Sequence, residues 1–458
     1  MFGLSGNVAS MAHKRQRHND GDSFVGDGIG GCGCGDRFLS LFGKDAIHEI
    51  GGGNPVFARG GFGELSVALK SRKGTPSTDG EKNLQYSFAA VKTIHNAMTG
   101  GSNNNNRFGS FGQASEQEQS KELSSDVVNE LLALRLLQLH PNIVPLIAVY
   151  PSSQGALSLA FDYCPMDLRE VLEVRRKTFR QPLAFRFVQT IVRDLFGALV
   201  HCHTNGILHR DLKPGNLLVS SKGVIRLCDF GLARPFLVSK EIDAQKKSAI
   251  NNDKVLCTLY YRPPEVLLGG PAEHPSVDSW SAGVVLAELI TGRPVWPGRN
   301  VIDQLTHLFE SLGTPNEEKW PSVKRLPDYR KLIFGFKPPK RWEETLPRAS
   351  ESPALVDLLS NLVVLNPAAR FTAKEVLDHD WLLPKSGVSL GGFDNECHRE
   401  LRDELLLPAS LQIPLLLFPE NRALVEKLGL GIAESRRSLL KKCGNHWQGP
   451  TLKVSLSS

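Results

Sequence analysis

The stretch from His209 to Gly231, HRDLKPGNLLVSSKGVIRLCDFG, constrains this chain more than any other. It carries two acidic residues, Asp211 and Asp229, with the amide of Asn216 between them. Asn216 to Gly223 reads as a short strand and turn, and Val224 to Cys228 as a second apolar strand. The hairpin so predicted sets Asp211, Asn216 and Asp229 along one rim of a cleft. Two hard oxygen donors beside a separate carboxylate suit phosphoryl transfer: Asn216 and Asp229 can hold magnesium, which leaves Asp211 free to meet a hydroxyl.

Composition narrows the setting. A chain of 458 residues, 41% hydrophobic and 22% charged, suits two lobes with tails. A net charge of +6, spread along the chain, gives little reason to expect nucleic-acid binding. Eight cysteines without regular spacing fit a reducing compartment. No apolar run approaches the roughly 20 residues of a membrane span, so no membrane association is expected. The basic cluster from His13 to His18 is either a nuclear address or part of a charged tail, which leaves nucleus and cytoplasm both open.

Residues 1–53 are too poor in apolar periodicity to bury a core and read as a disordered extension. Val56 to Leu69 predicts two strands around a Gly-rich turn, and Ser87 to Ile94 a third. Polar insertions are expected at 71–83 and 97–122. Asp126 to Leu139 predicts a helix apolar on most sides, which therefore needs burial on more than one. Strands at Ile143 to Val149 and Leu157 to Phe161 follow. The pattern then turns helical, over Leu168 to Arg176, Leu183 to Thr204, Val277 to Thr291, Val301 to Leu312, Pro353 to Val364 and Thr372 to Asp378. A strand-rich part followed by a helical part is the α+β pattern of two lobes, here 54–163 and 164–384, with a tail at 385–458. Leu405 to Phe418 is apolar but broken by Pro408 and Pro414, and carries no functional reading.

Several motifs now line up in one order. Ala58-Arg59-Gly60-Gly61-Phe62-Gly63-Glu64-Leu65 is a turn whose glycines let backbone amides approach phosphate oxygens. Lys92 ends the apolar run Ala89-Ala90-Val91, and Glu130 is the acidic residue beyond the first turn of the next helix. With HRDLxxxN and DFG complete, the chain resembles the eukaryotic protein kinases, a bilobal fold with a small β-rich lobe holding one regulatory helix and a larger helical lobe. The resemblance covers about residues 54–384. Its narrower features, DFGLAR at Asp229 to Arg234, LYYRPPEVLL at Leu259 to Leu268 and LGTPNEEKWP at Leu312 to Pro321, are similar to the cyclin-dependent kinases.

That resemblance implies an ATP-dependent serine/threonine kinase acting before proline, with ATP and Mg2+ as cofactors and protein substrates. It implies Asp211, Lys213, Lys92 and Glu130 as catalytic residues and Asn216 and Asp229 as metal ligands. ATP would lie against Phe57, Ala58, Arg59, Gly60, Gly61, Phe62, Gly63, Leu65, Ala90 and Lys92, and against the hinge at Phe161, Asp162, Cys164 and Asp167. Glu265 and Arg370 match the family's buried ion pair, and Asp278 the helix aspartate that holds the catalytic-loop backbone. A cyclin-like partner on the helix bearing Glu130 is implied as well.

The departures concern regulation. Ala58 replaces the first glycine of the loop, and Gly61-Phe62 stands where members carry a phosphorylatable Thr-Tyr pair. The place of the cyclin-binding PSTAIRE segment reads Ser124 to Glu130, with Asn129 before the glutamate. From Glu130 to His140 the chain is one residue longer than usual. Counting back from Thr258, the activating threonine falls on Asp253, which offers one charge and two oxygens where phosphate offers nearly two and three. Arg210 and Arg234 are its expected partners, Arg262 lies at the end of the same activation segment, and Ser248 is a competing phosphosite. Two rivals stand beside this reading: a mitogen-activated-type kinase, disfavoured by the lack of a Thr-x-Tyr pair, and a pseudokinase scaffold.

Overall fold

The computed structural model describes residues 46–48, 56–60, 63–73, 84–95, 97–99, 122–152, 156–236, 258–383 and 395–406. The expectations placed on Gly61, Phe62, Ser248 and Asp253, and on most of the two termini, lie outside them.

An antiparallel sheet forms the first lobe. Its strands are β1 (Ala46–His48), β2 (Val56–Gly60), β3 (Gly63–Lys73) and β4 (Leu84–Ile94), with β7 (Leu146–Pro151) and β8 (Leu157–Asp162) further along. The order is β1-β3-β4-β8-β7, and β2 also pairs with β3. Order thus begins before Asn54: Ala46–His48 pairs with His48 opposite Leu69. Three residues show no periodicity, but a sheet edge offers unpaired backbone groups to any short extended segment. The predicted loop 71–83 is shorter than expected, because β3 runs to Lys73 and β4 starts at Leu84. The insertion 97–122 is closed at its base by β5 (Met98–Thr99) pairing with β6 (Glu122–Leu123).

Helix α1 (Ser125–Leu137) packs Val127, Leu131, Ala133, Leu134 and Leu137 inward. It stops two residues before Leu139, which is left-handed at φ 75° and 97% exposed. Burial on more than one side, expected from the apolar pattern, is not met: Leu132 and Leu136 remain 42% and 55% exposed. Ile143 does not open the next strand. It bridges Leu227 instead, and β7 begins at Leu146.

The second lobe is helical. Asp167 caps α2 (Leu168–Val174), its carboxylate accepting from the Glu170 N–H at 2.8 Å. Beyond α2 the predicted helix widens into a π turn over Arg175–Phe179. The two central helices, α3 (Phe185–Thr204) and α4 (Ser276–Thr291), carry the core, and almost every residue of α4 is buried. On α4 packs α6 (Pro353–Leu362), while α5 (Val301–Leu312) lies against the short helix Pro264–Leu267 and the turn Leu259–Tyr261. Short strands sit at the lobe boundary: β9 (Met166–Asp167), β11 (Leu217–Val219) and β12 (Ile225–Leu227) form one sheet, and β10 (Ile207–Leu208) pairs with β13 (Arg234–Pro235). A tail helix, α7 (Asn395–Leu406), which the sequence reading missed, docks on α3 with Leu401 and Leu405 buried. Among the described residues no helix is long and apolar enough to cross a membrane.

Candidate active site

Strand register delivers the first group. Lys92 faces Leu65 of β3 on one side and Leu159 of β8 on the other. Its ammonium reaches the Glu130 carboxylate at 2.6 Å and that of Asp229 at 3.0 Å. Glu130 is on the buried face of α1, so the pair needs the helix seated against the sheet. Burial acts to lower the Lys92 pKa, but the two carboxylates outweigh it and hold the group above its ordinary value, firmly protonated. Burial likewise pushes Asp229 upward, and Lys92, with His209 and Lys213, reverses this and keeps it below the usual carboxylate range. Asp229 stays charged at neutral pH. It also holds a left-handed backbone at φ 62°, a strained conformation for a residue with a side chain.

The second group gathers on Asp211. Its carboxylate accepts from Lys213 at 2.5 Å and from the Asn216 amide at 3.1 Å. The Thr258 N–H and hydroxyl reach its other oxygen at 3.0 and 3.2 Å. The Asn216 amide also donates to the Asp211 carbonyl at 2.8 Å, which fixes its orientation and leaves Oδ1 as its outward atom. Asp211, Asn216 and Asp229 do share one rim, as the predicted hairpin required. The strands β11 and β12 provide it, and the Cys228 N–H donates to the Asn216 carbonyl at 3.0 Å.

Below the rim, Asp278 is fully buried on α4. It accepts the backbone N–H groups of His209 and Arg210 at 2.9 and 2.8 Å and faces His203 Nε2 at 3.0 Å. Burial alone would raise its pKa, yet His203, His209 and the Arg210 N–H reverse the shift and hold the carboxyl low. His209 donates through Nε2 to the Cys228 carbonyl at 3.0 Å, while its Nδ1 accepts from the Asp211 N–H at 3.2 Å. Farther out, Arg370 grips Glu265 in a buried two-pronged pair at 2.6 and 2.7 Å and stacks over Trp280 at 4.8 Å. Such a pair specifies geometry more than it adds stability.

The remaining positions are distributed as follows. Phe57, Ala58, Arg59 and Gly60 lie on β2, with Gly60 opposite Gly63 at the turn. Ala90 faces Phe161 across β4 and β8, and Asp162 ends β8 and pairs with Arg226 at 3.3 Å. Burial pushes the Cys164 thiol up to about 11. Asp167 caps a helix with the carboxylate expected to face nucleotide. Arg210 is buried, and Arg262 follows the short turn Leu259–Tyr261. Arg234 pairs with Asp126, in the first turn of α1, at 2.8 Å, a partner the sequence reading did not name. Asp194, Asn142 and His398 were also missed. Asp194 and Asn142 each bond Ile225 of the catalytic stretch, and His398 reaches it through Asp194, all without a local motif.

The comparisons agree with this geometry. The protein kinase domain family matches residues 101–382, beginning after the Gly-rich turn and Lys92, which the sheet places independently. The chain belongs to the protein kinase family. Cyclin-dependent kinase 20 of Pongo abelii is 37% identical over 259 residues, spanning 57% of this chain and 70% of that protein. Cyclin-dependent kinase 20 of Homo sapiens is 37% identical over 257 residues, 56% of this chain and 70% of that one. A solved structure of the CAK complex from Chaetomium thermophilum, bound to ATP-gamma-S, is similar at TM-score 0.56 and 29% identity, over 78% of this chain and 94% of that chain. Within the family, the protein is a serine/threonine kinase of the cyclin-dependent type.

Proposed function

We propose that the chain transfers the γ-phosphate of ATP to serine or threonine preceding proline in protein substrates, at the rim formed by Lys92, Asp211, Asn216 and Asp229. The observation that carries this is the Lys92–Glu130–Asp229 line, in which one protonated lysine joins the sheet, α1 and the segment that follows β12. Lys92 would hold the nucleotide phosphates, the backbone of the Gly60 to Gly63 turn would cover them, and the strand end at Phe161 and Asp162 would receive adenine. Asp211 would accept or orient the proton of the substrate hydroxyl, help of a kind worth about 100- to 10,000-fold. Lys213, already against Asp211, would neutralise charge on the transferring group.

The donor set fits magnesium. Asn216 Oδ1 and the partly exposed Asp229 carboxylate are hard oxygens, and among the described residues no group of three or more His, Cys, Asp or Glu is placed to hold an ion. An ion held by two protein oxygens and completed by phosphate and water is the magnesium pattern. When bound, it would neutralise phosphate charge.

A cyclin-like activating subunit is the proposed partner of α1. Leu132 and Leu136 form an apolar strip on its outer face, and covering it would keep α1, and with it the Glu130–Lys92 pair, seated against the sheet. A peptide-library assay tests these finer points together. Incorporation should concentrate on Ser or Thr followed by proline, need magnesium, and rise when a cyclin is added. Label spread evenly over non-proline peptides would reject the proline-directed reading.

A further inference from the structure

The tail helix α7 brings to the catalytic stretch a side chain that no motif announces. His398 is buried, with Nε2 at 3.0 and 3.2 Å from the two carboxylate oxygens of Asp194. Asp194, buried on α3, also accepts the Ile225 backbone N–H at 2.8 Å. Ile225 opens β12, which ends at Leu227, two residues before Asp229. From the other side, the Asn142 amide donates to the Ile225 carbonyl at 3.0 Å, and the Leu227 N–H donates to the Asn142 carbonyl at 2.8 Å. Two clamps therefore grip β12, and the one on Asp194 is completed from the tail.

The helix is closely seated. A Cβ on Gly223, in the turn before β12, would stand 2.0 Å from the His398 carbonyl oxygen, and Gly223 itself is left-handed at φ 85°. Leu401 and Leu405 continue the buried face of α7, and Glu404 meets Arg175 at 2.6 Å. A carboxylate at this depth needs donors around it. Without His398 it would turn toward another donor or water, and the Ile225 N–H would lose a fixed acceptor.

We propose that His398 and Asp194 are positioning residues for phosphoryl transfer: the tail helix steadies β12 through Asp194, and with it the placement of Asp229 against Lys92. This rests on the proposed role of Asp229.

The test compares full-length wild type with His398→Leu, His398→Gln and Glu404→Gln. Leucine keeps apolar bulk without a donor, glutamine restores an N–H, and Glu404→Gln loosens the far end of the helix without touching Asp194. His398→Leu should lower kcat about tenfold, the scale of one charge-assisted hydrogen bond. It should leave the KM for peptide unchanged and speed hydrogen exchange of the Ile225 amide. His398→Gln should recover most of both, and Glu404→Gln should change neither. Unchanged kcat and exchange in folded His398→Leu would overturn the proposal, as would an equal loss in Glu404→Gln. If His398→Leu does not fold, His398→Met takes its place with the same expectations. Asp211→Asn is assayed alongside. If wild type transfers no more phosphate than Asp211→Asn, the kinase reading fails, while Ile225 exchange still decides whether the tail holds β12.

Discussion

Two buried aspartates hold the catalytic stretch from beneath, and they do so by the same physics. Asp278 accepts the His209 and Arg210 N–H groups and faces His203; Asp194 accepts the Ile225 N–H and faces His398. In each, a carboxylate replaces a missing backbone partner and a histidine supplies the other side. The difference is in reach. His203 lies 75 residues from Asp278, inside the kinase domain, whereas His398 lies 204 residues from Asp194, beyond it. The first anchor belongs to the shared fold, and the second makes the tail of this chain part of its working core.

The largest effect should come from the first anchor. Asp278→Ala leaves two buried N–H groups without an acceptor and should cost about 3 kcal/mol or more in urea unfolding, with activity lost in parallel. Next comes Asp194→Leu, which strands one N–H and should cost about 1–3 kcal/mol. A larger loss for Asp194→Leu than for Asp278→Ala would invert the comparison.

A pH effect follows from the neighbourhood of the second anchor. His140, stacked on His201 with ring centroids 4.6 Å apart, is pushed down to about 4 by burial first and by His201 second, while Asp194 pulls the other way. Its folded pKa is below its unfolded one, so the unfolded chain takes up the proton first. Its contribution to stability is present above about 6.5 and is lost as pH falls toward 4. Thermal melts of His140→Gln should show a flatter slope across that window; an unchanged slope would show that His140 is not the group responsible. The smallest effect is expected at Asp126→Asn. The Arg234 pair is half-exposed on the aspartate side, so its loss should cost about 0.5 kcal/mol in urea unfolding, and high salt should mimic it.

The contrast between the anchors also explains what the sequence disclosed. Lys92 and Glu130 could be paired in advance because the resemblance to the protein kinases implies such a pair and Glu130 is the acidic residue beyond the first turn of the helix. Val301–Leu312 came out with the bounds read from periodicity, since the Asn300 cap and Gly313 mark its ends. Asp278 was legible through its motif. Helix α7 was not, because its composition is dominated by charge and, among its described side chains, only those of His398, Leu401 and Leu405 are buried. That three- and four-residue spacing was a signal, but a histidine at its head hid it. Asp194 gave none: a lone acid in an apolar helix declares no partner. Leu139 and the edge strand Ala46–His48 depend on tertiary fit, which a local pattern does not carry.

Phosphate transfer at the rim around Asp211 can be read from the rate at which purified wild type and Asp211→Asn move the γ-phosphate of radiolabelled ATP to peptide at saturating ATP. A loss of about 100-fold or more in Asp211→Asn, with ATP binding retained, is the predicted result. Equal rates from the two proteins would contradict it.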